Sequence, residues 1–354
     1  MADLTARAIC AGCGAELPPA LLSCPACRRL VHSEDLKRLA GEADAAEARG
    51  APSDALAALR RAQELLPPGT RQQELLHQRI VRLSAALDAP RPAGSAAAPA
   101  TGNEGARPEG ARRGLLASIG AAILLIVTKF KFLLVLAATK GKLLLAGLTN
   151  AQTFFSMLLS MGAYWTIWGW RFGVGAVLSI YVHEMGHVAA LRRYGIRATA
   201  PMFIPGVGAL IRLKQYPATA HEEAIVGLAG PIWGAATAIV ALVSYLAGGW
   251  ELAAALAHFG AFVNLFNLMP ILSLDGSHAF RALSRLERGA VTAVLFAAWA
   301  YSHEGMLLLI AIVAAVRIVT PATGQDRGIT LRFIALVIVL TAIDEYVGRV
   351  LPRV

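Results

Sequence analysis

From residue 115 to residue 354 the chain is a series of long apolar runs broken by short loops rich in arginine. A helix needs about 20 apolar residues to cross the hydrocarbon core of a bilayer, and backbone polar groups there must be satisfied internally. The pattern therefore restricts this part of the chain to a polytopic α-helical membrane protein, and the fold class is mainly α. Composition agrees. Apolar residues make up 56% of the sequence and charged ones 16%, against about 25% charged in soluble domains. A purely soluble enzyme and a disordered chain are both excluded on that ground. The net charge of +10 does not point to nucleic acid. Arg192, Arg193, Arg197, Arg281, Arg285 and Arg288 lie in loops between apolar runs, as the positive-inside rule expects of cytoplasmic loops. No basic stripe with interleaved aromatics is visible, so no nucleic-acid partner is expected.

Residues 1–114 have a different character. All four cysteines lie near the start, as Cys10, Cys13, Cys24 and Cys27. No apolar secretory core precedes or contains them, so a cytoplasmic N-terminal segment is expected, where disulfides are rare. Two CxxC knuckles then read as one tetrahedral zinc site, with two disulfides as the alternative. Residues 1–32 are expected to be a four-cysteine zinc ribbon holding a structural zinc. It resembles small ribbons found at the ends of many bacterial membrane proteins, which implies a bacterial inner membrane.

Residues 33–88 read as a soluble helical segment. Leu36, Leu39, Ala43 and Ala46 recur at helical spacing, and Gly50-Ala51-Pro52 breaks the run before Ser53, a candidate cap. Leu56, Leu59, Ala62 and Leu66 mark a second helix, and Leu75, Leu76, Ile80, Leu83 and Leu87 a third. Gly50, Ala55, Leu59, Ala62 and Pro67 resemble the small-and-large pattern of one tetratricopeptide repeat. A plain three-helix spacer fits equally, and either form suits a protein partner. Residues 89–114, rich in Pro, Ala, Gly and Ser, read as a flexible linker.

Residues 115–354 form the expected membrane domain. Spans are predicted over 151–170, 172–191, 223–247 and 251–272, with a helical hairpin over 289–320 broken at His303-Glu304 and a weaker span over 329–347. Tyr164, Trp165, Trp168 and Trp170 read as an interfacial aromatic belt, and Thr219 with Glu222 as a capping box. Lys129, Lys131, Lys140 and Lys142 interrupt residues 115–148, which suit either interfacial helices or one span.

The chemistry lies in two motifs. Residues 183–187 read His-Glu-Met-Gly-His. Histidines one helical turn apart share a face and can grip one zinc ion, with Glu184 beside them to take a proton from water. Ionisable residues on an apolar helix are costly and are functional by default. A third protein ligand is needed, and residues 267–276 supply one in Asn-Leu-Met-Pro-Ile-Leu-Ser-Leu-Asp-Gly. Pro270 breaks a helix and Asp275 sits at the break, where a wet or protein-lined cavity is required.

The two motifs together resemble the paired signature of the site-2 protease family of intramembrane zinc metalloproteases. Phe203-Ile204-Pro205-Gly206 and Gly227-Leu228-Ala229-Gly230-Pro231 also look like the family. The resemblance covers roughly residues 150–290. It implies that His183, His187 and Asp275 hold a catalytic zinc, that Glu184 is the general base, and that the substrate is a membrane-anchored protein cut in or near its transmembrane segment within the bilayer. Asn267 is a candidate contact to substrate or oxyanion, with a helix–helix polar contact as the alternative. His278 suits a helix surface better than the site, and His221, His258 and His303 read as structural. An inactive scaffold or a zinc transporter would also carry such residues, but Glu184 favours an enzyme. The last expectation concerns residues 200–213, apolar but too short to span, whose Pro205-Gly206 predicts a hairpin beside the zinc with an edge for an unwound substrate, a re-entrant loop that merely plugs the cavity being the alternative.

Overall fold

The computed structural model describes residues 8–18, 21–89, 150–206, 208–272, 274–322 and 324–350. The expected linker falls outside these beyond residue 89, and so do residues 115–148.

The chain opens on a two-residue hairpin, β1 (Ala8–Ile9) with β2 (Glu16–Leu17), antiparallel with Ala8 opposite Leu17. Three helices follow: α1 (Ser33–Ala48), α2 (Pro52–Glu64) and α3 (Arg71–Asp88). Ala43, Leu56, Ala58, Leu59 and Ile80 form their buried seam. Pro52 is the first residue of α2, with Ala51 as its N-cap, so Ser53 lies inside the helix rather than capping it. Proline fits there because the first turn has no use for its missing N–H. Thr70 caps α3 by accepting from the Gln73 N–H.

The remaining helices are α4 (Ala151–Trp168), α5 (Trp170–Arg193), α6 (Ala220–Gly248), α7 (Glu251–Asn267), α8 (Asp275–Arg281), α9 (Arg285–Ser302), α10 (Gly305–Ile318) and α11 (Arg327–Val350). Of these, α5 and α6 are long and apolar enough to cross a membrane. The α4 face carrying Phe155, Leu159, Trp165 and Ile167 is open, an apolar surface suited to lipid. Tyr164 departs from the expected belt. It is buried, and its hydroxyl accepts from the Gly206 N–H. The break expected at His303-Glu304 is present: His303 closes α9 in the left-handed conformation, with φ of 57°, and α10 starts at Gly305.

Between α5 and α6 runs the hairpin of β3 (Met202–Ile204) and β4 (Gly208–Leu210), with Phe203 opposite Ala209. It lies on α4, where Thr153 donates to the Pro201 carbonyl and the Phe203 N–H donates to Ser156. Helices α6 to α11 share one core, built on Leu228, Leu265, Phe280, Leu295, Ile310 and Phe333.

The helical segment α1–α3 is not held apart by the linker that follows it. Arg60 on α2 is buried and paired with Glu222 in the first turn of α6, 2.8 Å away. This also alters the expected capping box. Thr219 does accept from the Glu222 N–H, but the Glu222 carboxylate turns to Arg60 and the Ala218 N–H instead of folding back on Thr219.

Candidate metal centre

α5 is an apolar helix whose last three turns carry the polar set. His183 and Glu184 are buried, at 5% and 8% exposure. Pro270 has no N–H to continue a helix. The chain therefore leaves α7 at Asn267 and re-enters helix only at Asp275, the first residue of α8. That return brings Asp275 against α5. Its two carboxylate oxygens lie 3.1 Å from His183 Nε2 and 3.3 Å from His187 Nε2, and the two imidazole nitrogens are 3.2 Å apart.

The second nitrogen of each ring fixes what the first can do. His187 Nδ1 lies 2.8 Å from the Val226 carbonyl oxygen, which only accepts, so Nδ1 carries the proton and Nε2 a lone pair. His183 Nδ1 lies 2.8 Å from Asn264 Oδ1. The orientation of that amide follows from its other end, where Nδ2 donates to the Gly260 carbonyl at 2.7 Å. His183 Nδ1 is therefore a donor as well. Two lone pairs and a carboxylate face one another in a buried space, and Asp275 Oδ2 finds no donor there. Such a donor set calls for a cation. Zinc fits it: tetrahedral bonds of 2.0–2.1 Å place ligand atoms about 3.3 Å apart. Gly230 on α6 completes the cradle, since a Cβ there would overlap the Nε2 atoms of both histidines.

Asn264 was not singled out by the motif; Asn267, one turn later, was. Asn267 is the last residue of α7 and only partly buried. The signal for Asn264 was its own position, a polar amide on an apolar helix. His278 lies away from the histidine pair, with Nδ1 2.8 Å from Glu223. His221 bridges Asp326 and Asp88, and His258 pairs with Asp344 at 2.8 Å.

The four cysteines form a second converging set. Cys10 and Cys27 sulfurs are 3.5 Å apart, and those of Cys13 and Cys24 are 3.7 Å apart. Disulfides need about 2.05 Å. A tetrahedron with 2.3 Å Zn–S bonds has an edge of about 3.8 Å, close to what is seen. The Gly12 N–H donates to Cys10 Sγ and, with that of Cys13, pulls the thiol down towards the thiolate that zinc requires.

Comparison with known proteins bears on the membrane part. A model of peptidase family M50 matches residues 172–250, which contain His183, Glu184, His187 and Gly230. A zinc metalloprotease of Methanocaldococcus jannaschii is 25% identical over 126 residues, covering 34% of this chain. The match spans 36% of the length of that curated relative. No solved structure matches the chain. Residues 172–250 thus match a peptidase family M50 domain, in keeping with the site-2 protease motifs that the sequence resembles.

Proposed function

We propose that the chain is an intramembrane zinc metalloprotease that hydrolyses a peptide bond in or near a transmembrane segment of a membrane-anchored protein. The carrying observation is the convergence of His183, His187 and Asp275, with both outer imidazole nitrogens committed as donors, on the helix that also bears Glu184. In this reading the three side chains hold zinc. Bound zinc would polarise the scissile carbonyl and acidify a water. Glu184 takes the proton from that water and returns it to the leaving amine nitrogen. Burial of the site keeps bulk water away from these charges. Cys10, Cys13, Cys24 and Cys27 hold a second, structural zinc. Asn267 contacts the substrate backbone or the oxyanion, and the hairpin of β3 and β4 offers an unwound substrate a strand to pair with. The membrane is the inner membrane of a bacterium, with α1–α3 on the cytoplasmic side and available to a protein partner.

The test uses purified protein in liposomes with a tagged single-span substrate. Wild-type protein is expected to cleave it. Glu184→Gln keeps the size and hydrogen bonding of the side chain but cannot take the proton. It should lose at least about a hundredfold in rate while retaining zinc. Cleavage by Glu184→Gln at the wild-type rate would remove the base assignment.

A further inference from the structure

We infer that Arg60 is a positioning residue for the metal centre, and that α1–α3 clamp together the two helix ends that meet at His187. The inference rests on the reading of His183, His187 and Asp275 as a metal centre.

Arg60 is 3% exposed, and a buried guanidinium must be paired to be tolerated. Each of its three nitrogens is used. Nε donates to the Tyr194 carbonyl at 2.9 Å, Nη1 to the Tyr216 carbonyl at 3.2 Å, and Nη2 to Glu222 at 2.8 Å. Tyr194 closes α5, the helix of His183 and His187, and a cation suits the negative end of a helix. Glu222 lies in the first turn of α6, four residues before Val226, whose carbonyl holds the His187 ring. One side chain from the soluble segment thus spans the end of α5 and the beginning of α6, the two elements whose separation sets the His187 orientation. A ring nitrogen held by an outer partner is how metal ligands are oriented, and disturbing such partners typically weakens metal binding.

Independent contacts hold α1–α3 in the same place. Asp88, at the end of α3, accepts from Arg193 at 2.6 Å and from the Tyr194 hydroxyl at 2.6 Å. His221 lies between Asp88 and Asp326, reaching the start of α11. Glu64 accepts from Gln215 at 2.6 Å and pairs with Arg197. Gly195 follows α5 with φ of 64°, and a Cβ there would come within 2.8 Å of the Ala57 Cα and the Leu56 carbonyl carbon. Backbone rests on backbone at that point, as in one continuous fold rather than two tethered domains.

The experiment compares full-length wild type with Arg60→Met, Arg60→Lys and Asp88→Asn. It reads zinc retention against a chelator, kcat and KM on the tagged substrate, and hydrogen exchange of residues 183–195 and 220–226. Arg60→Met is expected to speed exchange in both segments and to weaken zinc retention on the order of tenfold. It should lower kcat while KM moves less than about twofold, the signature of a disturbed reacting centre rather than lost substrate contact. Arg60→Lys, which keeps the charge but not the fork, should recover part of the loss. Asp88→Asn should move the same readouts by less. Wild-type exchange, zinc retention and kcat in a folded Arg60→Met protein would overturn the inference. If Arg60→Met does not fold, unchanged values in both Arg60→Lys and Asp88→Asn would overturn it. If wild type cleaves nothing while exchange and zinc retention still respond to Arg60→Met, the proteolytic reading fails and the clamp stands.

Discussion

Gly230→Ala tests the metal centre without touching a ligand. The added Cβ would lie 2.6 Å from both His183 Nε2 and His187 Cε1, and would overlap His187 Nε2. Ordinary van der Waals contact begins near 3.4 Å, so the His183 ring must withdraw by about 0.8 Å and the His187 ring by more, whereas metal–ligand bonds tolerate about 0.2 Å. Neither ring can swing freely, because His183 is held by Asn264 and His187 by the Val226 carbonyl. Moving α6 away instead would carry Val226 with it. Overpacking of one methyl costs about 1–3 kcal/mol, too little to unfold the domain but enough to lower zinc affinity by about one to two orders of magnitude. The assay is zinc content after dialysis against graded chelator, alongside cleavage of the tagged substrate. Gly162→Ala and Gly289→Ala are the controls, since nothing lies within 4 Å of a Cβ at either position. A Gly230→Ala protein with wild-type zinc retention and rate would refute the cradle, and with it the claim that the two Nε2 atoms face a bound ion.

Further outcomes follow from single groups. Asn264→Ala should weaken zinc retention by about 10–100-fold, because the His183 ring loses the acceptor that holds its tautomer; a competition titration reads this. Cys24→Ser should remove one zinc per chain by elemental analysis and leave the membrane-site zinc in place. Burial alone would raise the Asp326 carboxyl, but hydrogen bonds from His221 and the Ile329 N–H outweigh it and hold it below the ordinary carboxylate range. A depressed carboxylate stabilises fully above its ordinary range and loses that contribution as pH falls through it. Asp326→Asn should therefore lower Tm at neutral pH and show a shallower loss of Tm on acidification than wild type.

The parts of the fold that could be read from sequence are those encoded locally. His303-Glu304 interrupts an apolar run and Pro205-Gly206 demands a turn, so the breaks between α9 and α10 and between β3 and β4 follow from neighbouring residues. The histidine spacing is likewise a property of one helix. What escaped depends on distant partners. Glu222 carries the mark of a capping residue, and nothing near it in sequence reveals that its carboxylate is bound to Arg60, 162 residues earlier. Arg60 has an identical neighbour in Arg61, and nothing local distinguishes the buried arginine from the exposed one. Asn264 and Asn267 are one turn apart, and only the packing of α7 on α5 decides which amide meets His183. Tyr164 sits among exposed tryptophans, yet the β3–β4 hairpin covers it.

The docking of α1–α3 also dictates a timetable. Residues 33–88 leave the ribosome before any of the surface they rest on, which is drawn from residues 193–222 and from Asp326. Bonds across such separations form late, because the intervening loop must close first. Asp275 arrives later than both histidines, and the Asp326 end of the docking surface later still. During synthesis the nascent chain therefore exposes a helical segment without its seat and two histidines without their carboxylate. On the proposed reading, the metal-binding set is incomplete until Asp275 has been made, well after both histidines have entered the helix that carries them.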